Sequence, residues 1–149
     1  MSSTEPEQLF ANGVKAADKG NWVAALACFE KVVKSGGNPA GSSYLAVCIA
    51  RERGQFNKAD MLCKEALDIE PENPVHYLNL GRIFLLQGRK KEAIQAFREG
   101  LRRGGVEQRI IEELNRLGTR KGPVISFLKR DNPINKYLGI LLTKLRLRK

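Results

Sequence analysis

Few side chains in this 149-residue chain could do chemistry, and they are poorly grouped. Glu112 and Glu113 are adjacent, and neighbours on a helix point about 100° apart, so the two carboxylates cannot face one site as an acid–base pair. Ser42 and Ser43 offer hydroxyls, but no histidine stands near them in sequence. His76 is the single histidine. No cysteine is close to it, so a zinc or iron site is not expected. Asp60 and Glu65 read as solvated carboxylates on helix faces. Neither GxGxxG nor a P-loop occurs, and Gly100 with Gly104 and Gly105 reads as a helix end. Cys28, Cys48 and Cys63 cannot all pair within one chain, and none forms CxxC. They read as small buried hydrophobes in a reducing compartment. Catalysis, a cofactor and a metal are therefore not expected.

Charge is more informative than any reactive group. The chain carries a formal +10. Residues 1–107 hold 15 Lys/Arg and 13 Asp/Glu, whereas residues 108–149 hold 11 and 3. The first part is thus near neutral at +2, and the tail carries +8. Such an asymmetry points to an anionic partner or to a solvated basic rim. No apolar run approaches the roughly 20 residues of a membrane span. Met1 to Pro6 shows neither a basic n-region nor an apolar h-region, so no secretory signal is expected.

The elements that must position these residues repeat. Gly20, Gly54 and Gly88 lie 34 residues apart. Ala25, Ala59 and Ala93 follow in the same register. Phe29, Cys63 and Phe97 come next, and Val33, Leu67 and Leu101 close each unit. Fixed self-similarity at this period marks a stacked repeat array. The register divides the chain into units 6–39, 40–73 and 74–107. Each reads as two helices around a tight turn. In the third, Tyr77, Leu80, Gly81 and Phe84 keep helical spacing, Gln87-Gly88-Arg89 turns, and Ala93, Ile94, Phe97 and Leu101 resume it. Glycine suits the turn because it accepts a left-handed backbone. Alanine suits the column where two helices cross closely. Asn73-Pro74 predicts an N-cap followed by a first-turn proline, and Ser3/Thr4 before Pro6 predicts the first helix start.

These columns closely resemble the tetratricopeptide repeat. The third unit fits best, through Tyr77, Leu80, Gly81, Phe84, Gly88, Ala93 and Phe97. The second keeps Gly54, Phe56, Ala59, Ala66 and Pro71, but has Val47 where glycine is usual, Ala50 where an aromatic is usual, and Cys63. The first keeps Gly13, Gly20, Trp22, Ala25 and Phe29, with no closing proline until Pro39. The resemblance covers about two-thirds of the chain. It implies an all-α superhelical solenoid of antiparallel helix pairs. Residues 108–149 are expected to supply capping and extension helices. Val106–Leu117 reads as an amphipathic helix with Ile110, Ile111, Leu114 and Leu117 on one face. Pro123 forbids its continuation. A last helix is expected with Ile134, Tyr137, Leu138, Leu141, Leu142 and Leu145 as its apolar stripe. The stretch from Pro123 to Gly139 resembles a C-terminal element of some bacterial repeat proteins of this type.

The resemblance also implies a concave groove lined by the first helix of each unit. Its register maps onto Phe10, Val14 and Ala17, then Tyr44, Cys48 and Arg51, then Leu78, Arg82 and Leu85. This expected peptide-binding groove is mostly apolar. One subgroup of the family grips a terminal carboxylate with lysine, asparagine and arginine. Phe10 and Val14 stand where that clamp has lysine and asparagine, and Asn79 with Arg82 does not rebuild it. An apolar groove suits an apolar peptide or an amphipathic helix. The chain is thus expected to be a protein-binding adaptor, scaffold or chaperone-like assembly co-factor in the cytoplasm. The alternative is a peripheral membrane-associated scaffold, or a nucleic-acid-associated adaptor, acting through Lys136, Lys144, Arg146, Arg148 and Lys149. Nucleic acid is the less favoured of the two, because Phe127 and Tyr137 are the only tail aromatics. The chain's own tail helix is a further candidate to fill the groove.

Overall fold

A computed structural model describes residues 4–36 and 38–118. The described residues form seven helices and no strand: α1 (Glu5–Asp18), α2 (Trp22–Lys34), α3 (Pro39–Arg53), α4 (Phe56–Ile69), α5 (Pro74–Leu86), α6 (Lys90–Gly104) and α7 (Gln108–Arg116). By packing, the chain separates into two units, residues 1–115 and 116–149. The expected stripe from Ile134 to Leu145, and Lys136, Lys144, Arg146, Arg148 and Lys149, lie outside the described residues.

Helix starts are written locally. Asn21, Asn38 and Asn73 each cap a helix, their side-chain oxygens accepting from the backbone N–H of Ala24, Gly41 and Val75 at 3.2, 2.7 and 3.0 Å. The Thr4 N–H donates to Glu7 at 3.1 Å ahead of α1. Each satisfies a donor that the helix itself leaves open. The turns between paired helices carry Gly20, Gly54 and Gly88 at φ of 76°, 65° and 73°, the left-handed conformation the glycine column predicts.

Consecutive helices pack as hairpins, α1 on α2, α3 on α4 and α5 on α6, and α3 also packs on α2 and α5. Ala25, Ala59 and Ala93 are fully buried, as close crossings require. Every residue from Ser43 to Ala50 is buried, so α3 is covered on all faces and has no apolar stripe of its own. Phe10, Phe29 and Tyr44 tie α1, α2 and α3 together. Phe29 and Tyr44 stack at 4.9 Å between centroids, and Phe10 meets their edges at 5.8 and 6.0 Å.

The departures of the second unit explain each other. A Cβ on Gly13 would stand 2.8 Å from the Phe29 ring, and one on Gly81 would collide with the Phe97 ring. Glycine is there because an aromatic side chain lies across the helix. In the second unit the aromatic is Cys63 and the glycine is Val47. Both are buried in one core cluster with Ala46, Ala50, Ala59 and Ile83. A smaller residue on one helix is filled by a larger one on the other, which keeps the interior close-packed.

Helix α7 is shorter than the expected Val106–Leu117. Ile110 is fully buried, while Ile111, Leu114 and Leu117 are half-buried. A Cβ on Gly100 would stand 2.7 Å from Tyr77 and 2.8 Å from Ile110, so this glycine makes room for α7 against the third hairpin. Glu112 is exposed and Glu113 buried, the divergence expected of helix neighbours.

Candidate functional site

The nine residues of the expected groove fall into two sets, with Ala17, 5% exposed, in the enclosed one. Tyr44, Cys48 and Leu78 are 1%, 0% and 0% exposed, so they form a floor beneath the surface and not a face open to a partner. This corrects the expectation of a mostly apolar open groove at these three positions. The register places them on the first helices, but the packing of α3 encloses them. Phe10, Val14, Arg82 and Leu85 are half-buried and Arg51 is exposed. What remains accessible is mixed, with two arginines among three apolar side chains.

Electrostatics around the floor follow from burial. Desolvation raises the Tyr44 phenol above its ordinary range, against the opposing pull of the Arg109 and Arg82 charges. Arg109, from α7, donates to the Tyr44 hydroxyl. Burial, helped by Glu52, pushes the Cys48 thiol up to about 12. Burial, helped by Asp60, does the same to Cys63. Both thiols are then almost wholly protonated near neutrality and poor nucleophiles. Cys28 is half-buried. A place in the expected groove therefore does not make Cys48 reactive: it is buried, and Cys28 is the more accessible thiol. With a disulfide reagent at pH 8 we expect one thiol equivalent, Cys28, to react first. Cys48 and Cys63 should follow roughly a hundredfold more slowly, or only in denaturant. A fast phase assigned to Cys48 by peptide mapping would contradict this burial.

Trp22 lies under two guanidinium groups. Arg51 sits 5.2 Å and Arg82 5.8 Å from the indole centroid. Arg82 also meets Glu113 at 3.4 Å and donates to Asn79 at 3.4 Å. Sequence reasoning placed Arg51 and Arg82 in one register but missed Trp22, Glu113 and Arg109 as their companions. Trp22 begins a second helix, and the other two belong to α7, so no first-helix register could include them.

A second polar cluster lies between the second and third hairpins. His76 Nδ1 is 3.0 Å from the Ser43 hydroxyl, and His76 Nε2 is 2.9 Å from Glu70. Asn79 donates to the same hydroxyl at 3.0 Å. Serine, histidine and a carboxylate in this order have the composition of a nucleophile and its base. Ser43 and His76 are both 0% exposed, however, so no substrate reaches them. The cluster holds two helices together. Among the described residues no group of His, Cys, Asp and Glu could hold a metal, and no helix is long and apolar enough to cross a membrane.

Paired antiparallel helices stacked in one register, with left-handed glycine turns and a buried alanine column, define an all-α repeat solenoid. Known proteins of similar sequence and fold are repeat proteins of this kind. The tetratricopeptide repeat family profile matches residues 50–109. The tetratricopeptide repeat domain of Arabidopsis OM64 superposes with a TM-score of 0.54 at 25% identity, over 75% of this chain and 93% of that one. The first such domain of Spaghetti (RPAP3), bound to the HSP90 peptide SRMEEVD, superposes with a TM-score of 0.55 at 19% identity, over 79% and 96%. In sequence, a putative pentatricopeptide repeat-containing protein of Arabidopsis thaliana is 37% identical over 57 residues. That match covers 38% of this chain and spans only 13% of its relative. The described helices thus have the fold of tetratricopeptide repeat domains, and residues 50–109 match that family in sequence. Folds of this family are protein–protein interaction modules and are typically non-catalytic.

Proposed function

We propose that the chain is an interaction adaptor or assembly co-factor whose repeats, 6–39, 40–73 and 74–107, hold an apolar peptide or amphipathic helix of a partner protein. The partner would lie along α1, α3 and α5. The observation that supports this reading is that Phe10, Val14, Arg51, Arg82 and Leu85, on those three helices, keep accessible surface while Tyr44, Cys48 and Leu78 are enclosed. Apolar side chains at one register suit the i, i+3, i+4 anchors of a helix. A cytoplasmic site of action fits the free cysteines and remains part of the proposal.

Selection of helical peptides from a displayed library on the full chain, followed by affinity measurement, tests it. Val14→Glu and Leu85→Glu should each weaken the selected peptides at least about tenfold, with the helical circular dichroism unchanged. Glutamate at Tyr44 or Leu78 would report on folding instead, since both are enclosed. Selected peptides that bind both variants as well as the parent would show that the groove is elsewhere.

A further inference from the structure

We infer that Arg51 and Arg82, braced on Trp22, form a receptor for carboxylate side chains within the partner's helix. The inference rests on the groove reading above and names the polar chemistry that reading lacks. Two guanidinium groups lie within 6 Å of one indole centroid, so two like charges share a single aromatic ring. The indole face attracts each plane and limits its motion. Arg82 has Glu113 at 3.4 Å, while Arg51 has no carboxylate partner among the described residues. Arg53, its near neighbour, is by contrast paired with Glu30 at 2.7 Å. Arg109, itself 3.5 Å from Glu107, lies beside Tyr44 and adds no unpaired charge.

One aspartate or glutamate brought over Trp22 would relieve the repulsion. It would also accept charge-assisted hydrogen bonds from a guanidinium that is already oriented. The accessible apolar neighbours Val14 and Leu85 favour an amphipathic segment over a uniformly acidic one. The occupant is therefore a helix with an apolar stripe and acidic flanks. Its recognised carboxylates are internal, because Phe10 and Val14 leave nothing to grip a chain terminus.

Trp22 is the single tryptophan, so its emission reports on this site alone. Three tryptophan-free helical peptides serve as probes, acetylated and amidated so that no terminal carboxylate is present. They share one leucine stripe and carry Glu, Gln or Lys on its flanks. On the full chain in 150 mM salt, the Glu peptide is expected to shift Trp22 emission and to bind at least about tenfold tighter than the Gln peptide. Arg51→Gln should weaken the Glu peptide about three- to tenfold and leave the Gln peptide unchanged. Lys90→Gln, an exposed charge on α6, should leave both unchanged. Equal losses from Arg51→Gln and Lys90→Gln would reduce the effect to diffuse attraction by the +10 chain and overturn the receptor. Equal binding of the Glu and Gln peptides, or tighter binding of the Lys peptide, would also overturn it while leaving the groove in place. Failure of all three to bind would remove the groove and the receptor together.

Discussion

Gly81→Val is expected to destabilise the third hairpin by about 3 kcal/mol, and adding Phe97→Cys should recover most of that loss. A Cβ at position 81 collides with the Phe97 ring, and a valine adds two methyl groups beyond it. The ring has nowhere to go, because Phe97 is 0% exposed. The second hairpin already contains the alternative solution, with Val47 and Cys63 at the matching places and both enclosed. Transplanting that pair should restore packing without the clash. The residual deficit should be about 1 kcal/mol, from apolar area lost with the ring beyond what valine returns. Urea unfolding of the two single variants and the double gives the coupling directly. Additive losses would mean that the two columns do not pack as a pair.

Much of the fold was legible because its signals are local and repeated. Gly20, Gly54 and Gly88 each need a left-handed backbone, and Asn73 before Pro74 is a helix start in any context. Val47 and Cys63 looked like defects when taken one at a time. They make sense only as a pair on facing helices, and nothing in the sequence says that the two columns touch. The groove was less legible. The register correctly put Tyr44, Cys48 and Leu78 on first helices, but exposure depends on what lies above them, and α3 is enclosed by its neighbours. Trp22 and the two arginines over it come from three different helices, and their convergence is a tertiary fact.

The polar cluster was missed for a related reason. No histidine is near Ser43 in sequence, yet His76 and Asn79 lie 33 and 36 residues on. In an array of period 34 that is the next first helix, against the same face. Polar residues at 43, 76 and 79 amid apolar neighbours were the available signal.

The largest polar effect should come from that cluster. His76→Ala is expected to cost about 3 kcal/mol. The imidazole is fully buried, so its removal leaves a cavity between α3 and α5. Nε2 loses its role as donor to Glu70, whose side chain is 42% exposed and can turn to water at little cost. Ser43 cannot, since its hydroxyl stays enclosed with Asn79 and the Ala40 carbonyl as its remaining partners. Ser43→Ala alone should therefore cost about 1 kcal/mol or somewhat more, through the stranded Asn79 amide. The two substitutions together should cost less than their sum by about 1 kcal/mol, because each alone already breaks the shared hydrogen bond. Asn79→Leu should behave like His76→Ala in kind, since Arg82 loses one of its two acceptors as well. A tighter contrast comes from Glu70→Gln, which keeps an acceptor for Nε2–H and should change stability by less than about 0.5 kcal/mol. Urea or thermal unfolding of these variants decides the matter. If His76→Ala costs under about 1 kcal/mol, or shows no coupling to Ser43→Ala, the cluster does not join the second and third hairpins, and burial of apolar area alone holds them together.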